Sequence, residues 1–85
     1  MKGLKVEEIH TTEDDSSSSK GAMTLFCTVD GEPVQVRTAV LRENGKVITG
    51  DRYLGKTIDV KGIVETFDGA YQIKVFNAKR IIIQP

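Results

Sequence analysis

The segment Thr57-Ile58-Asp59-Val60-Lys61-Gly62-Ile63-Val64-Glu65-Thr66 runs through Phe67-Asp68-Gly69 into Tyr71-Gln72-Ile73-Lys74-Val75-Phe76, and apolar residues recur along it at nearly every second position. A period of two sends alternate side chains to opposite faces of an extended chain, so each half reads as a strand with one apolar face. Asp68-Gly69 is a pair suited to a tight hairpin turn. The same pattern recurs upstream. Met23-Thr24-Leu25-Phe26-Cys27-Thr28-Val29 alternates, Asp30-Gly31 turns the chain, and Val34-Gln35-Val36-Arg37-Thr38 resumes the alternation. Leu4-Lys5-Val6-Glu7-Glu8-Ile9-His10 is a weaker version, in which Leu4 and Val6 face inward and a bulge is needed to bring Ile9 to the same side.

Five strands follow, each with one apolar face. A flat sheet of this size would leave that face wet, because no long helical segment is present to cover it. Curling into a barrel hides the face and removes the exposed edges. Gly62, in the middle of the fourth strand, permits the sharp coiling a small barrel needs. The expected fold is therefore all-β, a five-stranded Greek-key barrel of the OB type formed by residues 1–85 as one domain. Its inward set is Met23, Leu25, Cys27, Val29, Val34, Val36, Ile58, Val60, Val64, Tyr71, Ile73 and Val75. Residues 11–21, acidic and serine-rich without an aliphatic side chain, are expected to form a mobile loop. Val40 to Gly55 contains Asn44-Gly45, Gly50-Asp51 and Tyr53-Leu54-Gly55, and reads as a turn-rich connection with a short helical or strand segment near residues 46–49.

The stretch from Leu54 to Glu65, with Asp68-Gly69 and Tyr71 to Val75, resembles the C-terminal half of OB-fold nucleic-acid-binding domains of the anticodon-binding-like and single-strand-binding types. The resemblance is best over residues 54–76 and extends loosely over 22–83. It implies a binding face on the second and third strands, flanked by the loops after the first and fourth. The acidic, serine-rich first loop departs from that pattern, where many such domains place basic or aromatic contacts.

With 85 residues the chain has room for one core, so function must lie on the surface of a small scaffold. Twelve basic and twelve acidic residues cancel, and net charge alone makes no case for nucleic acid. The distribution is uneven: residues 1–32 carry three bases and seven acids, residues 33–85 nine bases and five acids. Cys27 is the only cysteine and shares the inward face, so it reads as a core thiol. No apolar run is long enough to span a bilayer, and the first residues lack the hydrophobic stretch of a signal peptide; a soluble, cytoplasmic protein with no membrane partner is expected.

Burying Leu25 and Cys27 turns Phe26 outward beside Thr24 and Thr28, with Gln35 and Arg37 outward on the neighbouring strand. An exposed aromatic beside an arginine makes a stacking platform for bases, although the same ring could cover one end of the barrel. Phe67 either stacks on a ligand or caps the barrel. Lys61 and Lys74 point outward and, with Arg42, Lys46, Arg52 and Lys56, read either as a diffuse phosphate-facing surface or as solvated charges. Tyr53 is expected to anchor its connection, and Lys79-Arg80 to be a solvated edge. Ile81-Ile82-Ile83 either extends the fifth strand toward the first or packs on a partner domain. The candidate nucleic-acid-binding residues are Phe26, Thr28, Gln35, Arg37, Lys61, Phe67 and Lys74.

Catalysis has little support in one histidine, His10, and one cysteine. Gly55-Lys56-Thr57 leads into a strand and not a helix, so it makes no phosphate loop. Glu13, Asp14, Asp15 and Asp30 match no calcium loop, zinc lacks ligands, and no cofactor is expected. The leading expectation is a non-enzymatic module binding single-stranded DNA or RNA. The alternative is an interaction module docking a protein partner or an adjoining domain; a carbohydrate-binding barrel ranks last, since the chain has no tryptophan.

Overall fold

The alternating segments are strands in a computed structural model that describes residues 1–13 and 20–85. They are β1 (Leu4–Thr11), β2 (Met23–Val29), β3 (Glu32–Thr38), β4 (Arg42–Glu43), β5 (Lys46–Val47), β6 (Thr57–Val60), β7 (Ile63–Phe67), β8 (Ala70–Val75) and β9 (Ile81–Ile83). Short 3-10 turns at Gly50–Arg52 and Ala78–Arg80 are the only helical elements among the described residues. Asp30-Gly31 and Asp68-Gly69 both have positive φ at each central residue, the backbone twist that matches two flanking antiparallel strands. Asn44-Gly45 does the same for the small hairpin β4–β5, which fills the turn-rich connection expected there.

Seven strands form one mixed sheet in the order β7-β8-β3-β2-β1-β6-β9. β1, β2 and β3 are an antiparallel meander; β3 and β8 are parallel; β7–β8 and β6–β9 are antiparallel pairs. β6 lies near one end of this ladder and β7 at the other, yet only Lys61 and Gly62 separate them in the chain. The sheet must therefore curl back on itself, and it forms a half-barrel. Gly62 marks the break, and the expected fourth strand is two shorter ones. A Cβ at residue 62 would lie 2.8 Å from the Ile73 side chain and 2.9 Å from the Lys74 carbonyl oxygen, so the absence of a side chain is what lets the chain cross β8 at this distance.

The expected bulge in β1 is present: the β1–β2 register shifts between Val6 and Glu8. Leu4 and Val6 are buried as a result, and Ile9 packs against the same core. That core contains Met23, Leu25, Cys27, Val34, Val36, Ile58, Val60, Ile73 and Val75 as expected, and adds Leu41, Ile48, Tyr53 and Ile81. Tyr53 does anchor its connection. Burial, and then the nearby Glu7 carboxylate, pushes the Cys27 thiol up to about 12.

Three expectations need correction. Val64 and Tyr71, assigned to the inward set, are exposed, because they lie at the free end of the ladder in a hairpin whose β7 strand is exposed at every residue. Val29, also assigned inward, is only half-buried. Ile81–Ile83 does not extend the fifth strand toward β1; it pairs with β6, with Ile81 buried and Ile82 outward. The predicted mobile loop at residues 11–21 includes 14–19, which lie outside the described residues. Its base is closed by Thr12 N–H donating to the Ala22 carbonyl at 2.9 Å and Gly21 N–H to the Thr12 carbonyl at 2.8 Å.

The two chain ends meet beside β6. Gly3 N–H donates to Asp59 Oδ1 at 3.0 Å and Gln84 Nε2 to the same oxygen at 2.6 Å. The Gly3 N–H, with help from Gln84, Lys2 and the terminal ammonium, holds the Asp59 carboxyl below its ordinary value.

Candidate nucleic-acid interface

Because strand pairing aligns residues across the sheet, the outward side chains fall into rows. One row reads Glu8, Phe26, Gln35, Gln72 and Glu65, each paired with the next across β1, β2, β3, β8 and β7. The adjoining row reads His10, Thr24, Arg37, Lys74 and Ile63. Phe26, Gln35, Arg37 and Lys74 thus share one face, as the alternation predicts. Phe26 is 37% exposed and not enclosed by its own domain.

The two rows differ in charge. Carboxylates terminate the Phe26 row at both ends, whereas the next row sets Arg37 directly beside Lys74 and holds no acid. Side chains directly opposite on neighbouring strands stand roughly 5 Å apart, so two cations there repel each other unless an anion lies between them. Neither one makes an ion pair among the described residues, where the one such contact is Arg52 with Glu43. Arg37, Lys74, Thr12, Thr24 and Phe76 line a cleft of about 530 Å³ at this end of the sheet.

Thr28 faces outward, but its hydroxyl donates to Glu7 Oε1 at 3.3 Å, which places a carboxylate at the position where a phosphate oxygen would have to sit. Phe67 ends β7 instead of lying in the turn, paired with Ala70 and 66% exposed; it caps nothing. By strand parity it shares the outward face with Glu65 and Ile63. Lys61 stands at the β6–β7 bend, where its N–H donates to the Arg80 carbonyl at 2.8 Å. It lines a second cleft of about 390 Å³ with Lys74, Phe76 and Arg80. Arg42, Lys46, Arg52 and Lys56 line neither cleft, and Arg52 is paired with Glu43.

Phe76 and Arg80 were not among the expected site residues. The signal for Phe76 was in the sequence: continuing the alternation of Ile73 and Val75 by one step turns residue 76 to the side of Lys74. No such signal exists for Arg80, whose position depends on the Asn77 side chain accepting from Lys79 N–H at 2.9 Å and so starting the 3-10 turn.

Among the described residues no three His, Cys, Asp or Glu side chains converge on a point, and Asp14 and Asp15 lie outside them. Among the described residues no helix is long and apolar enough to cross a membrane. No family model, curated protein or solved structure matches the chain.

Proposed function

We propose that this protein is a non-enzymatic module that binds single-stranded nucleic acid along the outward face of β2, β3 and β8. The observation carrying the reading is the placement of Arg37 and Lys74 side by side, with no ion pair and no acid in their cross-strand row among the described residues, next to the half-exposed Phe26 in a chain of zero net charge. Cations that track phosphates and rings that take bases are the two components of sequence-tolerant single-strand binding. Gln35 lies between them as a hydrogen-bonding partner for base edges, and Phe67 offers a second ring at the hairpin tip. Thr28, engaged with Glu7, is dropped from the contact set. We read the half-barrel as a five-stranded Greek-key barrel of the OB type, in which β6 and β7 are one strand broken at Gly62. The meander, the parallel β3–β8 pair and the antiparallel β7–β8 and β1–β6 pairs support this order.

Binding by one such domain is expected to be weak, with Kd on the order of 1–100 µM, and to fall steeply with salt. Titrating a labelled ten-nucleotide thymidine oligomer at low and moderate salt tests it. The Arg37→Glu/Lys74→Glu variant should bind at least about tenfold more weakly with its fold unchanged. Absence of wild-type binding at low salt would sink the proposal. A second reading, contact with a protein partner, has one specific observation behind it: β7 is an edge strand exposed along its whole length, with Ile63 and Phe67 both outward. Oligonucleotide affinity that survives the double charge reversal would favour it.

A further inference from the structure

Phe76 is the most exposed large hydrophobic side chain among the described residues, at 77%. It follows Val75, whose side chain is buried, and takes no part in the core. An aromatic ring held so openly just past a strand end contributes little to folding, and the charged residues that line the cleft with it, Lys61, Lys74 and Arg80, are all basic. Lys61 and Arg80 are tied together by the backbone hydrogen bond between them, and Lys74 lies two residues along β8, about 7 Å away. Gly62 lines the hollow between them, where the chain passes close against Ile73 and the Lys74 carbonyl. Among the described residues none that lines this cleft is acidic, and the same holds for the cleft containing Arg37. Lys74 and Phe76 line both, so the two clefts adjoin at these side chains.

Resting on the nucleic-acid reading, we propose that the hollow between the β6–β7 bend and the end of β8 is a separate nucleotide subsite. One unpaired base stacks on Phe76, and the phosphates on either side of it are held by Lys61, Lys74 and Arg80. A single strand then runs from the Phe26 platform past Arg37 and Lys74 to this subsite, beyond the β2–β3 face. The combination selects a nucleotide over a bare polyanion: the cations would attract either, but only a base gives the ring a partner.

The chain has no tryptophan, so Phe76→Trp places a single reporter in the subsite. Adding the thymidine decamer should quench its emission, and an abasic decamer of the same charge should not. Phe76→Ala should weaken the thymidine oligomer by about five- to 150-fold, the range expected for loss of one stacked base, and leave the abasic oligomer unchanged. Lys61→Gln/Arg80→Gln should reduce the slope of log affinity against log salt by about 1.4, two phosphate contacts' worth. If wild type binds and Arg37→Glu/Lys74→Glu abolishes it, while Phe76→Ala and the Phe76→Trp emission show no effect, the subsite is wrong and the broader reading stands. Equal loss of both oligomers in Phe76→Ala also overturns the stacking role. No wild-type binding removes both.

Discussion

At Gly62 the sheet turns from one end of its ladder to the other over a distance that leaves no room for a methyl group. Besides the Ile73 side chain at 2.8 Å, the obstacle is the Lys74 carbonyl oxygen at 2.9 Å, part of the backbone and unable to swing aside. Gly50 shows the contrast: a Cβ there would meet the Ile9 Cγ2 at 2.8 Å, but that is the end of a side chain that can repack. Gly62→Ala is therefore expected to destabilise the protein by about 1–3 kcal/mol, the usual cost of forcing extra volume into a packed site. Chemical denaturation checks this; a loss no larger than that of an exposed substitution would mean that the bend yields freely. Single positions such as this one were legible in the sequence as to place and not as to cause. Gly62 stood out as a glycine inside an alternating run, yet that it splits the run, with neighbours on opposite ends of a ladder, follows from long-range pairing that local pattern does not encode.

Strands were easier to read than their ends or partners. Alternation located β1, β2, β3 and β8 within a residue or two, because one face of each had to be apolar to be buried. It failed where burial failed: Val64 and Tyr71 keep the alternating pattern at exposed positions of their hairpin, and Ile81–Ile83, three isoleucines in a row, carries no period from which a partner can be read. The bulge in β1 is the instructive success, since Leu4-Lys5-Val6 and Ile9 cannot share a face without an extra residue. Deleting Glu7 tests that reading. With the extra residue gone, Leu4, Val6 and Ile9 fall into regular alternation on the inner face and keep their partners on β2. The deletion variant should therefore unfold at a denaturant concentration close to wild type. Removing both Glu7 and Glu8 puts Ile9 out of phase with Val6, and exposing one such side chain costs about 1.5–3 kcal/mol, so that variant should unfold at markedly lower denaturant. A single deletion as damaging as the double one would show that the strand needs the bulge itself.

Across the whole molecule, the uneven charge of the two halves was visible in the sequence, but its consequence was not. Which of the nine bases after residue 32 gather around the exposed aromatics depends on curling the sheet until the β6–β7 bend meets the end of β8. That curl also brings the chain ends together at Asp59, and the two shifted groups on either side of neutral pH define a window for stability. Asp59 is held below the ordinary carboxylate value of 3.8, so the folded state keeps it ionised at pH values where the unfolded chain has begun to take up a proton. Its contribution is complete above that value and is lost as pH falls through the lower folded one. Cys27 shifts the opposite way, from an ordinary 9.0 to about 12. The thiol stays protonated in the core while the unfolded chain ionises, so stability is complete below about pH 9 and declines as pH rises toward 12. Tyr53, raised from 10.0 mainly by burial, adds to the alkaline decline. Thermal melts from acid to alkaline pH should trace a plateau with both limbs. Asp59→Asn should flatten the acid limb and lower Tm at pH 7, where the carboxylate normally holds Gly3 and Gln84. Cys27→Ala should be less stable at pH 7 because it leaves a void, yet lose less between pH 9 and pH 11 than wild type does. An alkaline limb of the same depth in Cys27→Ala would assign the decline to Tyr53, and would place Cys27 in contact with water.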